Sequence, residues 1–220
     1  MRMVGPSARE PETVSLTPPD ALTVTAWAQD SERADAARNR QLLLDAATQL
    51  IEEHGAAAVT MDAVAKAAGV GKGTVFRRFG SRTGLMHALL DRSETELQRS
   101  YLYGPPPLGP GAPPDERLLA FGRARLQTAY AHLDVLAEAE GAGIERLMHP
   151  AATASRLHIR ILLQSLGFGD GLETLTLTLL APMDASALRF LLDQHLTLEQ
   201  IIAQWERTAR MLIAGRSHQP

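Results

Sequence analysis

Apolar residues recur at steps of three and four along most of this chain, the period that gathers them on one side of a helix. A first helix is expected from about Arg33 or Asp35 to Glu53, with Leu43, Ala46, Ala47, Leu50, Ile51 and His54 as its buried stripe and Gly55 as its stop. Thr60 can cap a short helix over Met61 to Ala68 whose inward positions are Val64, Ala67 and Ala68, and Gly69 supplies a left-handed exit. A second short helix follows from Lys72 to about Arg78, burying Val75 and Phe79 and leaving Lys72, Thr74 and Arg77 on its other side. Ser81 to about Tyr101 then reads as one longer helix through Leu85, Ala88, Leu89 and Leu97. Proline and glycine in YGPPPLGPGAPPD end it.

The remainder also reads as helix: Asp115 to Ala131, Leu133 to Met148, Ala151 to Leu166, Ala185 to His195, and Leu198 to Ala214. Leu172 to Leu180 alternates Leu with Thr as a strand would. Helix is the better reading, because no second strand candidate exists to pair its backbone groups. The fold class expected is all-α.

Two short helices around a tight turn form a helix-turn-helix, and the second helix of such a pair is the one that enters the major groove of DNA. Lys72 and Arg77 are long donors able to reach phosphate or guanine, and Thr74 offers a hydroxyl or a methyl group. Gly73 lets the helix start approach the DNA backbone closely. Phe76 either covers sugar and base edges or completes the small core beside Phe79. The formal net charge of -3 argues against indiscriminate coating of nucleic acid. From Thr60 to Arg82, however, the basic Lys66, Lys72, Arg77, Arg78 and Arg82 face the single acid Asp62, so the charge that matters is concentrated locally.

Other chemistries fall away. There is no cysteine, which excludes thiol catalysis, disulfides and cysteine-held metals. His132, His149, His158 and His195 show no metal-binding repeat, and no nucleophile motif is present, so neither catalytic residues nor a metal or cofactor are expected. No run approaches the ~20 apolar residues of a membrane span, and the N-terminus lacks a secretory core, which makes a cytoplasmic protein with no membrane partner the expectation. Residues 1–32, with Pro6, Pro11, Pro18 and Pro19, read as a disordered arm that has room for a short helix around Ala21 to Gln29.

The segments LLDAATQLIEEHG and TMDAVAKAAGVGKGTVFRRF, followed by Ser81, Arg82 and Leu85, resemble the DNA-binding region of the TetR family of bacterial transcriptional regulators. With the element bounds read above, the resemblance implies a helix-turn-helix domain over 33–80, a connecting helix over 81–102 and a ligand-binding and dimerisation domain over 115–214; the Pro/Gly-rich loop over 103–114 is longer than the family's usual connection, and 215–220 is a tail. It also implies phosphate contacts from Arg40 and Arg82, alongside the Thr60, Lys72, Gly73, Thr74, Phe76 and Arg77 surface. Gly71 and Phe76 depart from the serine or threonine and the tyrosine usual in the family, which removes two hydroxyls able to anchor phosphate.

For the C-terminal domain the resemblance implies a cavity for an unidentified small-molecule effector, with Phe121, Tyr130, His158, Gln164 and Phe168 as its candidate lining. It further implies a homodimer on a palindromic double-stranded operator, held by the last two helices through Leu188, Leu191, Ile201, Ile202, Trp205, Ala209 and Leu212. The function expected is a repressor released by its effector. The alternative is a helical enzyme or adaptor in which the N-terminal helix triplet is only structural.

Overall fold

The structure, a computed structural model, describes the backbone of residues 21–139 and 150–216 and the side chains of residues 33–136 and 153–215. In order the helices are α1 (Ala21–His54), α2 (Met61–Ala67), α3 (Lys72–Phe79), α4 (Arg82–Tyr103), α5 (Pro114–Ala131), α6 (Leu133–Ala139), α7 (Pro150–Ser165), α8 (Leu172–Leu180), α9 (Ala185–Asp193) and α10 (Leu198–Arg216). No strand occurs among the described residues, so LETLTLTLL is a helix, and Thr176 and Thr178 return their hydroxyls to the carbonyls of Leu172 and Thr174.

Residues 1–41 and 42–220 form two units. In the first, α1 begins at Ala21, a correction to the reading of residues 21–32 as an arm. The physical reason is that the last prolines are Pro18 and Pro19, after which no proline or glycine interrupts the chain before Gly55. Residues 1–20 and the expected extension of α6 to Met148 lie outside the described residues.

The second unit contains two apolar clusters. In the N-terminal one, Leu43, Leu44 and Ala47 of α1 pack with Val64 and Ala65 of α2, Val75 of α3, and Leu85, Met86 and Leu89 of α4. The buried face of α2 is Met61, Val64 and Ala65, with Ala68 half-buried, while Ala67 is exposed. Starting the i, i+3, i+4, i+7 series at Met61 accounts for that correction. Gly69, at φ +67°, makes the turn, where its N–H donates to Lys66 and that of Val70 to Ala65 (3.3 and 2.9 Å).

The C-terminal cluster joins Leu97 and Tyr101 of α4 to Leu118, Phe121 and Leu126 of α5, Ile159 and Leu162 of α7, Leu188 of α9, and Ile202 and Trp205 of α10. One short helix reaches both clusters: on α6, Leu133 is buried in the C-terminal cluster and Val135 in the N-terminal one.

Leu188, Ile201, Ile202, Trp205 and Ala209 are buried within a single chain, and Leu191 and Leu212 are half-buried. Most of the stripe expected to hold a dimer is therefore interior to one chain, in its five buried residues. Its largest side chain lies against α5 at Gly122 and donates from Nε1 to the Leu179 carbonyl at 2.8 Å. The apolar side chains left on the outside are different ones, including Leu157 and Ile161 of α7, Leu177 of α8 and Phe190 of α9. No single helix among the described residues is long and apolar enough to cross a membrane.

Candidate nucleic-acid interface and interior polar cluster

The outward face of α3 is assembled by the residues that its core positions leave over. With Val75 fully buried and Phe79 packed against the N-terminal cluster, Lys72, Gly73, Phe76 and Arg77 come to one exposed side at i, i+1, i+4 and i+5. Phe76 is 41% exposed and so does not complete a small core beside Phe79. A Cβ at Gly73 would meet nothing within 4 Å, which leaves the first turn open to a close neighbour. Thr74 is half-buried at the flank. Thr60 acts as a cap, its Oγ1 accepting from the Ala63 N–H at 3.1 Å.

Lys72 Nζ lies 2.8 Å from Asp62 Oδ1 and 5.7 Å from the Phe76 ring centroid. Both partners of the ion pair are more than half exposed. Such a pair contributes at most about 1 kcal/mol, so a phosphate can take the ammonium from Asp62 at little cost. The sole acid of the segment is thus a competitor for one of its cations, a role that its isolation in the sequence could have suggested.

Arg82, expected at a phosphate, is also bonded within the protein. Its Nε donates to the Val59 carbonyl at 2.7 Å and its Nη2 to the Ala56 carbonyl at 2.8 Å, tying the start of α4 to the segment that joins α1 to α2. Ser81 caps the same helix, accepting from the Gly84 N–H at 3.0 Å. Arg40 is a half-buried residue of the first unit, near the exposed ion pair of Arg38 with Asp35.

Of the expected effector residues, Phe121 and His158 come together and the rest do not. Their ring centroids are 4.9 Å apart, and Tyr101, expected only as the end of the connecting helix, stacks on His158 at 4.1 Å and meets Phe121 edge-on at 5.4 Å. Tyr130 and Gln164 are exposed, and Phe168 is half-buried at the edge of the C-terminal cluster. The helical stripe alone did not distinguish outward from inward positions at the ends of α5 and α7. A cleft of about 240 Å³ opens elsewhere, between α8, α9 and α10, lined in part by Leu191, Gln204, Trp205 and Thr208. None of the five expected lining residues borders it. His54, expected to pack or cap, is exposed beside Glu53. Among the described residues no cluster of three or more His, Asp or Glu could hold a metal ion.

Burial, followed by the Arg117 charge, pushes the His158 imidazole down to about 4. In the unfolded chain the same group titrates near the ordinary 6.5, so it takes up a proton there before the folded chain does. Its contribution is fully present above about pH 6.5 and is lost as the pH falls towards 4, by about 3 kcal/mol. Burial lowers His132 too, which adds a loss of the same sign. Urea midpoints should therefore fall across this window, and His158→Phe should flatten the fall. A pH dependence identical in the variant would mean that His158 is not held neutral.

Residues 43–89 match the family described as bacterial regulatory proteins, tetR family. An HTH-type transcriptional regulator of Staphylococcus aureus is 35% identical over 60 residues, which cover 27% of this chain and 32% of the relative. The chain thus spans about a third of the length of the curated relatives it matches. Among solved structures, a transcriptional regulator from Rhodococcus sp. RHA1 superposes with a TM-score of 0.60 at 22% identity, covering 80% of this chain and 96% of its own. A regulator from Syntrophomonas wolfei gives 0.59 at 14% identity, covering 81% and 96%. The flavonoid-responsive regulator FrrA gives 0.50 at 26% identity, covering 82% and 97%.

Proposed function

This chain carries the TetR-family DNA-binding segment at residues 43–89 and has the helical fold of that family's regulators, and on that premise we propose that it is a homodimeric, sequence-specific transcriptional repressor released by a small-molecule effector. The observation that carries the reading is the exposed Lys72, Gly73, Phe76 and Arg77 face on a short helix whose other side is anchored by Val75. A helix so held presents donors and an aromatic ring to a groove without spending its own core. Thr74 extends this proposed surface at its margin, and Arg40, in the first unit, is separately proposed to touch phosphate.

Two copies related by a two-fold axis would present two such helices to a palindromic or near-palindromic site. Leu157 and Ile161, one turn apart on α7, and Leu177 on the neighbouring α8 support an interface there, since they are apolar and outward where the α10 stripe is not. Effector release requires a ligand that prefers the DNA-incompetent arrangement, because equal affinity for both arrangements shifts nothing. The double anchorage of α6, through Leu133 and Val135, supports a connection between the two clusters.

Selection of binding sites from random duplex DNA by the purified protein tests the reading, with a two-fold symmetric consensus as the expected result. On that site Lys72→Ala should lower affinity about tenfold and reduce the salt dependence by roughly one phosphate contact. Arg77→Ala should also change which bases are preferred, by about 1–3 kcal/mol at one position. Recovery of no consensus, with binding indifferent to both substitutions, would sink the proposal.

A further inference from the structure

We infer that the effector of the proposed regulator is a small carboxylic acid on an apolar body, and that Arg117 and His158 take its carboxylate between α4, α5 and α7. The inference rests on the effector-responsive reading above and specifies the chemistry of its ligand.

The first observation is a pair of polar atoms buried without partners around one aromatic residue. His158 is only 6% exposed, stacks on Tyr101 and has no hydrogen bond at Nε2. Arg117 donates from Nη2 to the Tyr101 carbonyl at 3.2 Å, and its Nε is buried with nothing to donate to. Buried polar atoms are nearly always satisfied, so two orphans flanking the same residue mark a place where another molecule supplies the bonds.

The second observation is the treatment of the other two α5 arginines. Arg123 is answered by Glu206 and Glu199, and Arg125 by Glu94 at 2.7 Å. Arg117 forms no ion pair among the described residues, although it is half-buried on the same helix. A guanidinium Nε–H can only donate, and the imidazole Nε2 can donate as well, so an oxygen acceptor is the group that suits both. An anionic oxygen also answers the unpaired charge, and a carboxylate matches the guanidinium fork.

The surroundings set the rest of the ligand. Leu118, Phe121, Ile159 and Leu162 belong to the same fully buried cluster, and beyond the polar pair they offer only apolar contact. Such a site takes an acyl or aryl group and resists a second charge. Entry requires the His158 ring to part from Tyr101, so the ligand replaces that stack.

The test is calorimetric titration of the full-length protein with butanoate, octanoate, phenylacetate and 2-naphthoate, each beside its own primary amide. At least one acid should bind at least tenfold more tightly than its amide. Arg117→Met and His158→Phe should each remove that preference, with circular dichroism confirming that the helices remain. Arg117→Lys, which keeps the charge but lacks the Nε–H, should reduce it and covers the case in which the methionine variant fails to fold. Acids that bind no better than amides across all four pairs would overturn the inference and assign the orphan atoms to buried water. A preference untouched in the folded variants would overturn it equally. Operator binding by the same preparation separates the two readings: a symmetric operator with no acid preference sinks only the ligand class, whereas an acid preference without any operator leaves the site standing and sinks the regulator.

Discussion

Gly122→Ala is expected to destabilise the C-terminal part of the protein by about 3 kcal/mol or more, although alanine is the better helix former. A Cβ built on Gly122 would stand 1.9 Å from Cζ3 and 2.1 Å from Cη2 of Trp205. Two responses are open, and each loses something. Moving the indole out abandons a side chain that is 4% exposed and breaks its 2.8 Å hydrogen bond to the Leu179 carbonyl. Moving α5 away from α10 instead loosens a contact reinforced by the Arg123 bonds to Glu206, the nearer at 2.8 Å. Urea unfolding followed by far-ultraviolet circular dichroism measures the loss. The double variant Gly122→Ala with Trp205→Leu should be more stable than the sum of its single changes implies, because the leucine no longer occupies the new methyl's space. An unchanged midpoint in Gly122→Ala would show that the α5–α10 approach is not as close as described.

That pair also shows where a sequence stops being legible. Ile201, Ile202, Trp205 and Ala209 announce an apolar stripe, and periodicity gives its direction correctly. It says nothing about what the stripe meets, since a second copy and α5 satisfy it equally well. The discriminating signal was a glycine inside AFGRARLQ, a costly residue for a helix interior unless something large needs the space. The N-terminal segment was easier because its determinants are local. Thr60 and Ser81 cap, Gly69 turns, and Val64 and Val75 bury, all within reach of their own helices. The interior polar cluster lay between these extremes. Phe121 and His158 could be named as residues of suitable chemistry, but Tyr101 enters only when α4, α5 and α7 are brought together. Tyr130 and Gln164 have equally suitable chemistry and sit on the surface.

Arg82→Ala should weaken operator binding at least tenfold while leaving its salt dependence unchanged, the opposite signature from Lys72→Ala. The side chain spends Nε and Nη2 on the carbonyls of Val59 and Ala56, at 2.7 and 2.8 Å, and so fixes the N-terminus of α4 against the chain entering α2. Removing it deprives two carbonyls of charged donors, which costs about 1.5–3 kcal/mol per bond at most and loosens the frame in which α3 is held. Affinity then falls because α3 is misplaced on every site, cognate or altered, and no phosphate contact is lost in the process. Arg82→Lys should recover little, since an ammonium on a single stem cannot span both carbonyls as the guanidinium fork does. Two measurements decide it together: the slope of log K against log salt, and the thermal midpoint of the free protein. A direct phosphate contact would lower the slope by about 0.9 with the midpoint unmoved. A backbone tie lowers the midpoint and leaves the slope alone. The first pattern would return Arg82 to the DNA surface, and the second would make it the residue through which α4 positions the reading helix.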